Sequence, residues 1–253
     1  MGTVDTSKVT VRQISKFVAE NMIKKYHYTH TFPASCQYSL GVFYKSSEHQ
    51  FFEDDQELIG CLTYGPPVGR RAAASISPEL KISEVLELTR LFVHDKKDDK
   101  NIESYVISQS FRWLKENAPN IKVLVSYADP AASHLGKIYQ ATNWIYQGIG
   151  QTALMDNHSI KLEENGKWIH SRTIGDRFGS RNIEHLKRVI GKSFWRRLDS
   201  PKHRYIYFLC DKREKRKILK SLKMTILPYP KDATAFIPTI ELIKVKQKEG
   251  AYV

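Results

Sequence analysis

Two runs of this chain, VLELTRLFV at 85–93 and IKVLVSY at 121–127, are apolar on both faces of an extended strand, so they belong at the centre of a sheet rather than at its edge. The segments around them supply its neighbours. TVRQI near the start alternates as a short strand, and SKFVAENMIKKYHY places Phe17, Val18, Met22 and Ile23 at helical spacing. YSLGVFY and ELIGCLTYG are apolar runs joined by the polar SSEHQFFEDDQ, the pattern of a hairpin with a long connection. After VLELTRLFV a charged loop leads into IESYVISQSFRWLKEN, where Tyr105, Val106, Phe111, Trp113 and Leu114 form one helical stripe. SHLGKIYQATN is then a short helix and WIYQG a strand. The order β-α-β-β-β-α-β-α-β predicts the α/β class, a mixed central sheet flanked by helices.

Beyond Gly150 the character changes. Residues 1–150 carry 17 basic and 16 acidic side chains, a net +1, whereas residues 151–253 carry 23 and 11, a net +12. This predicts a core over 1–150 and a basic C-terminal extension over 151–253 that continues the same fold. The extension reads as a polyanion-binding surface, nucleic acid being the commonest such partner, against the plainer reading of a lysine-rich solvated surface. Within it TALMD is a strand, NIEHLKRVIG a helix, RYIYFLC a strand and DKREKRKILKSLK a very basic helix, followed by a proline-broken, loosely held tail. Cys36, Cys61 and Cys210 are too dispersed for a disulfide framework and none has a CxxC partner, which argues for reduced thiols and against structural zinc. No apolar run approaches the ~18 residues that span a bilayer, and the N-terminus has no signal-peptide core. A cytoplasmic protein without a membrane partner is expected.

Ligands of open α/β sheets bind beyond the carboxyl ends of strands, which singles out Ser126, Tyr127 and Asp129. Tyr139, ten residues after Asp129 on the next helix, can point back to the same cleft. Each has a structural reading too, Asp129 as a helix cap and Tyr139 as a core aromatic. Arg90 is a charge inside an apolar run, and a buried guanidinium needs a partner: Glu87, Asp129 or a ligand anion. In the basic half, SRTIGDRFGSRN places Arg172, Arg177 and Arg181 in a Gly/Ser-rich stretch. FWRRLDSPKHRYIYF interleaves Arg196, Arg197, Lys202, His203 and Arg204 with Trp195, Tyr205 and Tyr207. Cations beside aromatics suit phosphates on one side and an unstacked base on the other.

Tyr139, then Asn143-Trp144, then Gly148 resemble the tyrosine, Gly-Phe pair and later glycine that end the acyl-CoA-binding core of GNAT-type acetyltransferases. The resemblance implies a GNAT-like sheet. It departs at the pyrophosphate loop: here HDKKDDKN has three aspartates and no glycine, poor chemistry for the CoA diphosphate, so acetyl-CoA is doubtful as a cofactor. YHYTH, ELTRLFV, SYADP with its downstream tyrosine, KWIHSRT, FWRRLDSPKHRYIYFL and LPYPK together resemble the Mom family of phage DNA-modification proteins, over about residues 20–231. That family is GNAT-like in fold, lacks the usual CoA loop, and converts adenine in DNA to an N6-carbamoylmethyl form that resists restriction endonucleases.

The resemblance implies double-stranded DNA with a flipped adenine as partner, with a homodimer also allowed. Asp129 would be general base toward the adenine N6–H, and Tyr139 the acid or orienting hydroxyl. His27 and Tyr28 match the family's His-Tyr pair, as ligands of an iron ion or as orienting groups; His27 is equally a helix C-terminal residue facing its own dipole. Arg90 is read as a site residue, with a structural salt bridge as its other reading. Ser104 and Ser108 fall where a donor would bind, or are plain helix-start serines. Two other classes stay open: a GNAT acetyltransferase using acetyl-CoA on a protein or small-molecule amine, and a non-enzymatic DNA-binding protein that has kept the fold.

Overall fold

The computed structural model describes residues 5–45, 56–69, 71–94, 101–149, 157–232 and 238–245. In chain order its strands are β1 (Val9–Gln13), β2 (Tyr38–Lys45), β3 (Gln56–Gly65), β4 (Val85–Val93), β5 (Val123–Ala128), β6 (Ile145–Ile149), β7 (His158–Lys161), β8 (Phe194–Leu198), β9 (His203–Phe208) and β10 (Ile240–Ile243). Its helices are α1 (Lys16–Tyr26), α2 (Ala72–Ile76), α3 (Ile102–Asn117), α4 (Lys137–Ala141), α5 (Ser171–Phe178), α6 (Ile183–Ile190) and α7 (Lys212–Lys220). The expected TALMD strand, the long hairpin connection at 46–55 and the loop at 95–100 lie outside the described residues.

The chain forms two compact units, and not along the expected boundary at 150. The first comprises Met1–Ala128, Gly136–Gly148 and Arg204–Tyr229; the second comprises Asp129–Leu135, Ile149–His203 and Pro230–Val253. The reason lies in β9, whose residues are buried on both faces and which therefore needs a sheet interior. It finds one between β5 and β6, in the seven-stranded order β1-β2-β3-β4-β5-β9-β6. β1 through β4 pair antiparallel and β4 pairs parallel with β5, so the sheet is mixed, as its sequence predicts.

Alternation along the central strands sorts two cores onto opposite faces. Leu124 of β5 and Tyr205 of β9 join a cluster with Val106, Ile107, Phe111 and Leu114 of α3, while Val123, Val125, Ile206 and Phe208 join Ile76 of α2 and Ile218 of α7. Burying each such side chain contributes about 1.5–3 kcal/mol, so packing rather than helix propensity holds α3 in place. α1 starts at Ser15, whose side chain accepts from the Val18 amide, and buries Ala19 and Ile23 against Cys61. The expected apolar stripe of α1 is thus rotated: Phe17, about 200° around the helix from Ala19, is 71% exposed.

The second unit is smaller. Its antiparallel sheet β10-β8-β7 covers Ile160, Ile174, Leu186 and Phe194, contributed by the sheet, α5 and α6. Part of the tail expected to be loose is therefore a paired edge strand, β10. Among the described residues no helix is long and apolar enough to cross a membrane.

Candidate active site

The parallel ladder between β4 and β5 runs from Val85↔Val123 to Glu87↔Val125 and ends there, although β4 continues to Val93 and β5 to Ala128. A side chain takes over at that point. Ser126 Oγ, deeply buried, lies 2.9 Å from the Leu88 carbonyl and 2.8 Å from the Tyr139 hydroxyl. One serine proton serves two neighbours: given to Leu88, it leaves Ser126 free to accept from Tyr139; given to Tyr139, it leaves the tyrosine proton to point elsewhere. The pair is a buried hydroxyl couple with two alternative proton placements at the end of the ladder.

The backbone before Tyr139 makes room for it. Gly136 begins α4 at φ +74°, and a Cβ there would come within 2.6 Å of the Tyr205 ring and 2.9 Å of the Tyr139 ring. Trp144 and Tyr205 flank Tyr139, each with ring centroids at 5.2 Å. Asn143 adopts φ +59°, a left-handed conformation that asparagine tolerates, which explains asparagine where the acyltransferase pattern has glycine. Burial pushes the Tyr139 phenol up to about 12; its contact with Ser126 opposes this, while Tyr28, Glu87 and Tyr205 add to it. At neutral pH Tyr139 keeps its proton and can donate it.

Arg90 fastens the loop after α1 to β4. Its Nε donates to the Thr31 carbonyl at 3.0 Å, Nη2 to Thr31 Oγ1 at 3.3 Å and Nη1 to the Thr89 carbonyl at 2.6 Å. Burial lowers its pKa, and the nearby Tyr28 and Glu87 counter that shift. Tyr28 and Glu87 thus lie close enough to act electrostatically on both Arg90 and Tyr139. Thr31 carried no signal in the sequence as a partner for Arg90.

His27 ends α1, its amide donating to the Ile23 carbonyl at 3.1 Å. Its Nδ1 accepts from the Thr29 amide at 3.1 Å and lies 2.8 Å from Thr29 Oγ1, and its ring stacks on Tyr28 at 4.5 Å. The helix-end reading of His27 matches this geometry. Among the described residues no three or more His, Cys, Asp or Glu side chains gather as a metal site, and the adjacent His27 and Tyr28 do not by themselves make an iron site. Ser104 and Ser108 direct their hydroxyls to the backbone of their own helix, at the Asn101 and Ser104 carbonyls, 2.9 and 3.0 Å away. Tyr127 is 37% exposed at the end of β5.

Asp129 belongs to the second unit. It caps the short turn Pro130–Ala132 by accepting from the Ala131 amide at 2.9 Å; its carboxylate also accepts from Ser200 Oγ and lies 3.7 Å from Lys202 Nζ. The capping reading holds, on this turn rather than on α4. Of the cations expected to meet phosphates, Arg177, Arg181 and Lys202 are exposed, Arg181 reaching Asn157 at 3.2 Å, and Arg172 lies in α5. Arg196 pairs with Glu241 at 2.8 Å, and Arg197 lies over the Trp168 ring at 4.5 Å. His203 and Arg204 depart from expectation: they are 7% and 6% exposed, because β9 begins with them and turns them inward. Arg204 donates to Ser75 Oγ at 3.2 Å and to Met224 Sδ at 3.1 Å, so neither residue is part of a surface that could meet DNA phosphates.

The pattern describing the Mom protein family matches residues 8–231. The methylcarbamoylase Mom of Escherichia phage Mu is 26% identical over 231 residues, covering 89% of this chain and 85% of that protein. Solved structures with distant similarity include Arabidopsis thaliana NAA60 in complex with acetyl-CoA, at 10% identity and TM-score 0.44 over 79% of this chain and 99% of that one. A spermidine N-acetyltransferase from Vibrio cholerae in complex with CoA and spermine aligns at 10% identity and TM-score 0.40, over 81% and 97%.

Proposed function

This chain belongs to the Mom protein family, and on that premise we propose that it is a transferase that modifies the N6 amine of adenine in DNA to the carbamoylmethyl form, so that the DNA resists restriction endonucleases. The observation that carries the reading is the family match over nearly the whole chain, to which a relative named as a methylcarbamoylase adds the reaction. The chemistry fits the residues. Adenine N6 is a weak nucleophile because its lone pair is delocalised into the ring, so it must be held and must lose one proton as the new N–C bond forms and the bond from the carbamoylmethyl carbon to its carrier breaks, the carrier leaving with the electron pair. Asp129, the residue after β5, is the carboxylate proposed to take that proton. Tyr139, held protonated by burial and linked to Ser126, is the proposed donor or orienting hydroxyl on the first unit. Arg90 ties the loop after α1 to β4 through Thr31, and Tyr28 of that loop acts electrostatically on both Arg90 and Tyr139. Because adenine inside a duplex is unreachable, the base must be extruded before it reacts.

The test is restriction protection. Plasmid DNA from cells expressing the protein is expected to resist endonucleases whose sites contain adenine, and DNA from cells expressing Tyr139→Phe to be cut as fully as unmodified DNA. Full cleavage of the wild-type sample, with soluble protein present, would remove the proposal.

A further inference from the structure

The face of the second unit's sheet turned away from that unit's core carries a group of side chains that the proposed reaction does not use. On β8, Phe194 points into the core with Ile160, Ile174 and Leu186, so Trp195 and Arg197 point the opposite way. Strand register sets Lys161 and Leu242 beside Trp195, and Ser159 and Ile240 beside Arg197. Ile240 and Leu242 are 57% and 44% exposed. Trp168 joins this face through its cations: the Arg197 guanidinium carbon is 4.5 Å from its ring centroid, and Lys161 Nζ is 5.4 Å from Trp168 and 5.5 Å from Trp195. The Glu164 carbonyl holds Lys161, and Asp199, at the end of the strand, accepts from Ser159. Trp168 and Trp195 are half-buried and belong to none of the hydrophobic clusters among the described residues.

A tryptophan can bury about 150–250 Å² in a core, so two half-buried ones beside two cations, next to the exposed Ile240 and Leu242, call for an occupant. We propose that this face is a stacking platform for unpaired bases of DNA. Trp195 and the Trp168–Arg197 pair offer flat surfaces to the bases, while Lys161 and Arg197 offer positive charge to the backbone. Charge complementarity selects this occupant over an apolar protein segment, which would cover Ile240 and Leu242 but desolvate Arg197 and Lys161 while bringing no anion to them. The inference rests on the reading of the chain as a DNA-modifying enzyme, which must unpair bases in order to act.

The experiment is a tryptophan-fluorescence titration of the full chain with a single-stranded oligodeoxyadenylate of about 12 nucleotides and with a matched duplex. The single strand is expected to bind with quenching and the duplex without it. Trp195→Ala and Trp168→Ala are expected to weaken single-strand binding about tenfold each. Trp195→Phe, which keeps a stacking ring, should hold the affinity within about threefold while losing part of the quench. Arg197→Gln should lower the slope of log affinity against log salt by about 0.7. Absence of single-strand binding, or alanine variants that bind as tightly as wild type, would overturn the platform. Restriction protection is scored separately on the wild type: protection with unaltered alanine variants removes the platform alone, whereas loss of protection with quenching intact removes only the modification reading.

Discussion

The two units differ in where they keep their aromatic rings. In the first, hydroxyls face inward and satisfy one another: Tyr64 OH lies 2.6 Å from Ser110 Oγ, and Ser126 links Leu88 to Tyr139, all within a core dense in rings. In the second, the core among the described residues gathers Ile160, Ile174, Leu186 and Phe194 with six partly buried apolar side chains around them, and Trp168 and Trp195 lie outside it, half-buried, with cations over them. Buried hydroxyl pairs fix geometry for chemistry, because leaving one partner unsatisfied is costly; half-buried aromatics beside cations are set up for recognition. The charge follows a different division. Arg204–Tyr229, which the fold returns to the first unit, holds eight Lys or Arg against two Asp or Glu, so half of the +12 seen after residue 150 lies on β9, α7 and the segment that follows.

The largest expected effect comes at the two proposed proton-transfer groups. Tyr139→Phe or Asp129→Asn should lower DNA modification by about 10²–10⁴-fold with cooperative thermal unfolding retained, since each removes a proton-transfer group. Nucleoside analysis and a melting curve on the same preparation check it. Full activity in both variants would end the assignment. Next, Phe194→Ala removes the largest side chain of the second unit's small core and should cost about 3–5 kcal/mol there. Amide exchange is expected to rise in β7, β8, α5 and α6, while β4 and β5 stay protected.

Alkaline pH probes the first unit. Burial raises Tyr139 and Tyr205 to about 12, so the unfolded chain, with tyrosines near 10, gives up its protons first. Stability from Tyr139 is therefore complete below pH 10 and is lost as pH rises toward 12, by about 2–3 kcal/mol at most. Denaturant titrations at pH 9 and 11 should show that loss, and Tyr139→Phe should shrink it. The smallest effect concerns α7. Lys122 Nζ bridges Glu84 at 3.0 Å and Glu214 of α7 at 2.9 Å on a partly exposed edge, so Lys122→Met should cost about 1 kcal/mol or less, read as a slight fall in melting temperature.

Much of this was legible in the chain. The doubly apolar β4 and β5 and the long stripe of α3 announced themselves, because their patterns are local and strong. β8 did not: FWRRL has no apolar alternation, so it read as a cationic stretch although it is the middle strand of a sheet. That β9 crosses back between β5 and β6 is a long-range pairing that no local pattern encodes, and it is why His203 and Arg204 read as surface cations. At the site, Ser126 and Tyr139 were visible as residues, but their shared proton depends on where the β4–β5 ladder stops. Thr31 as the anchor of Arg90, and Trp168 and Lys161 as neighbours of Trp195, come from tertiary contacts alone.

The most direct test of the account is mass spectrometry of nucleosides from plasmid DNA of cells expressing the wild-type chain, with Asp129→Ala as control. The account predicts a deoxyadenosine derivative heavier by one carbamoylmethyl group in the wild-type sample and none in the control. Unmodified deoxyadenosine despite abundant soluble protein, or the same derivative in both samples, would contradict it.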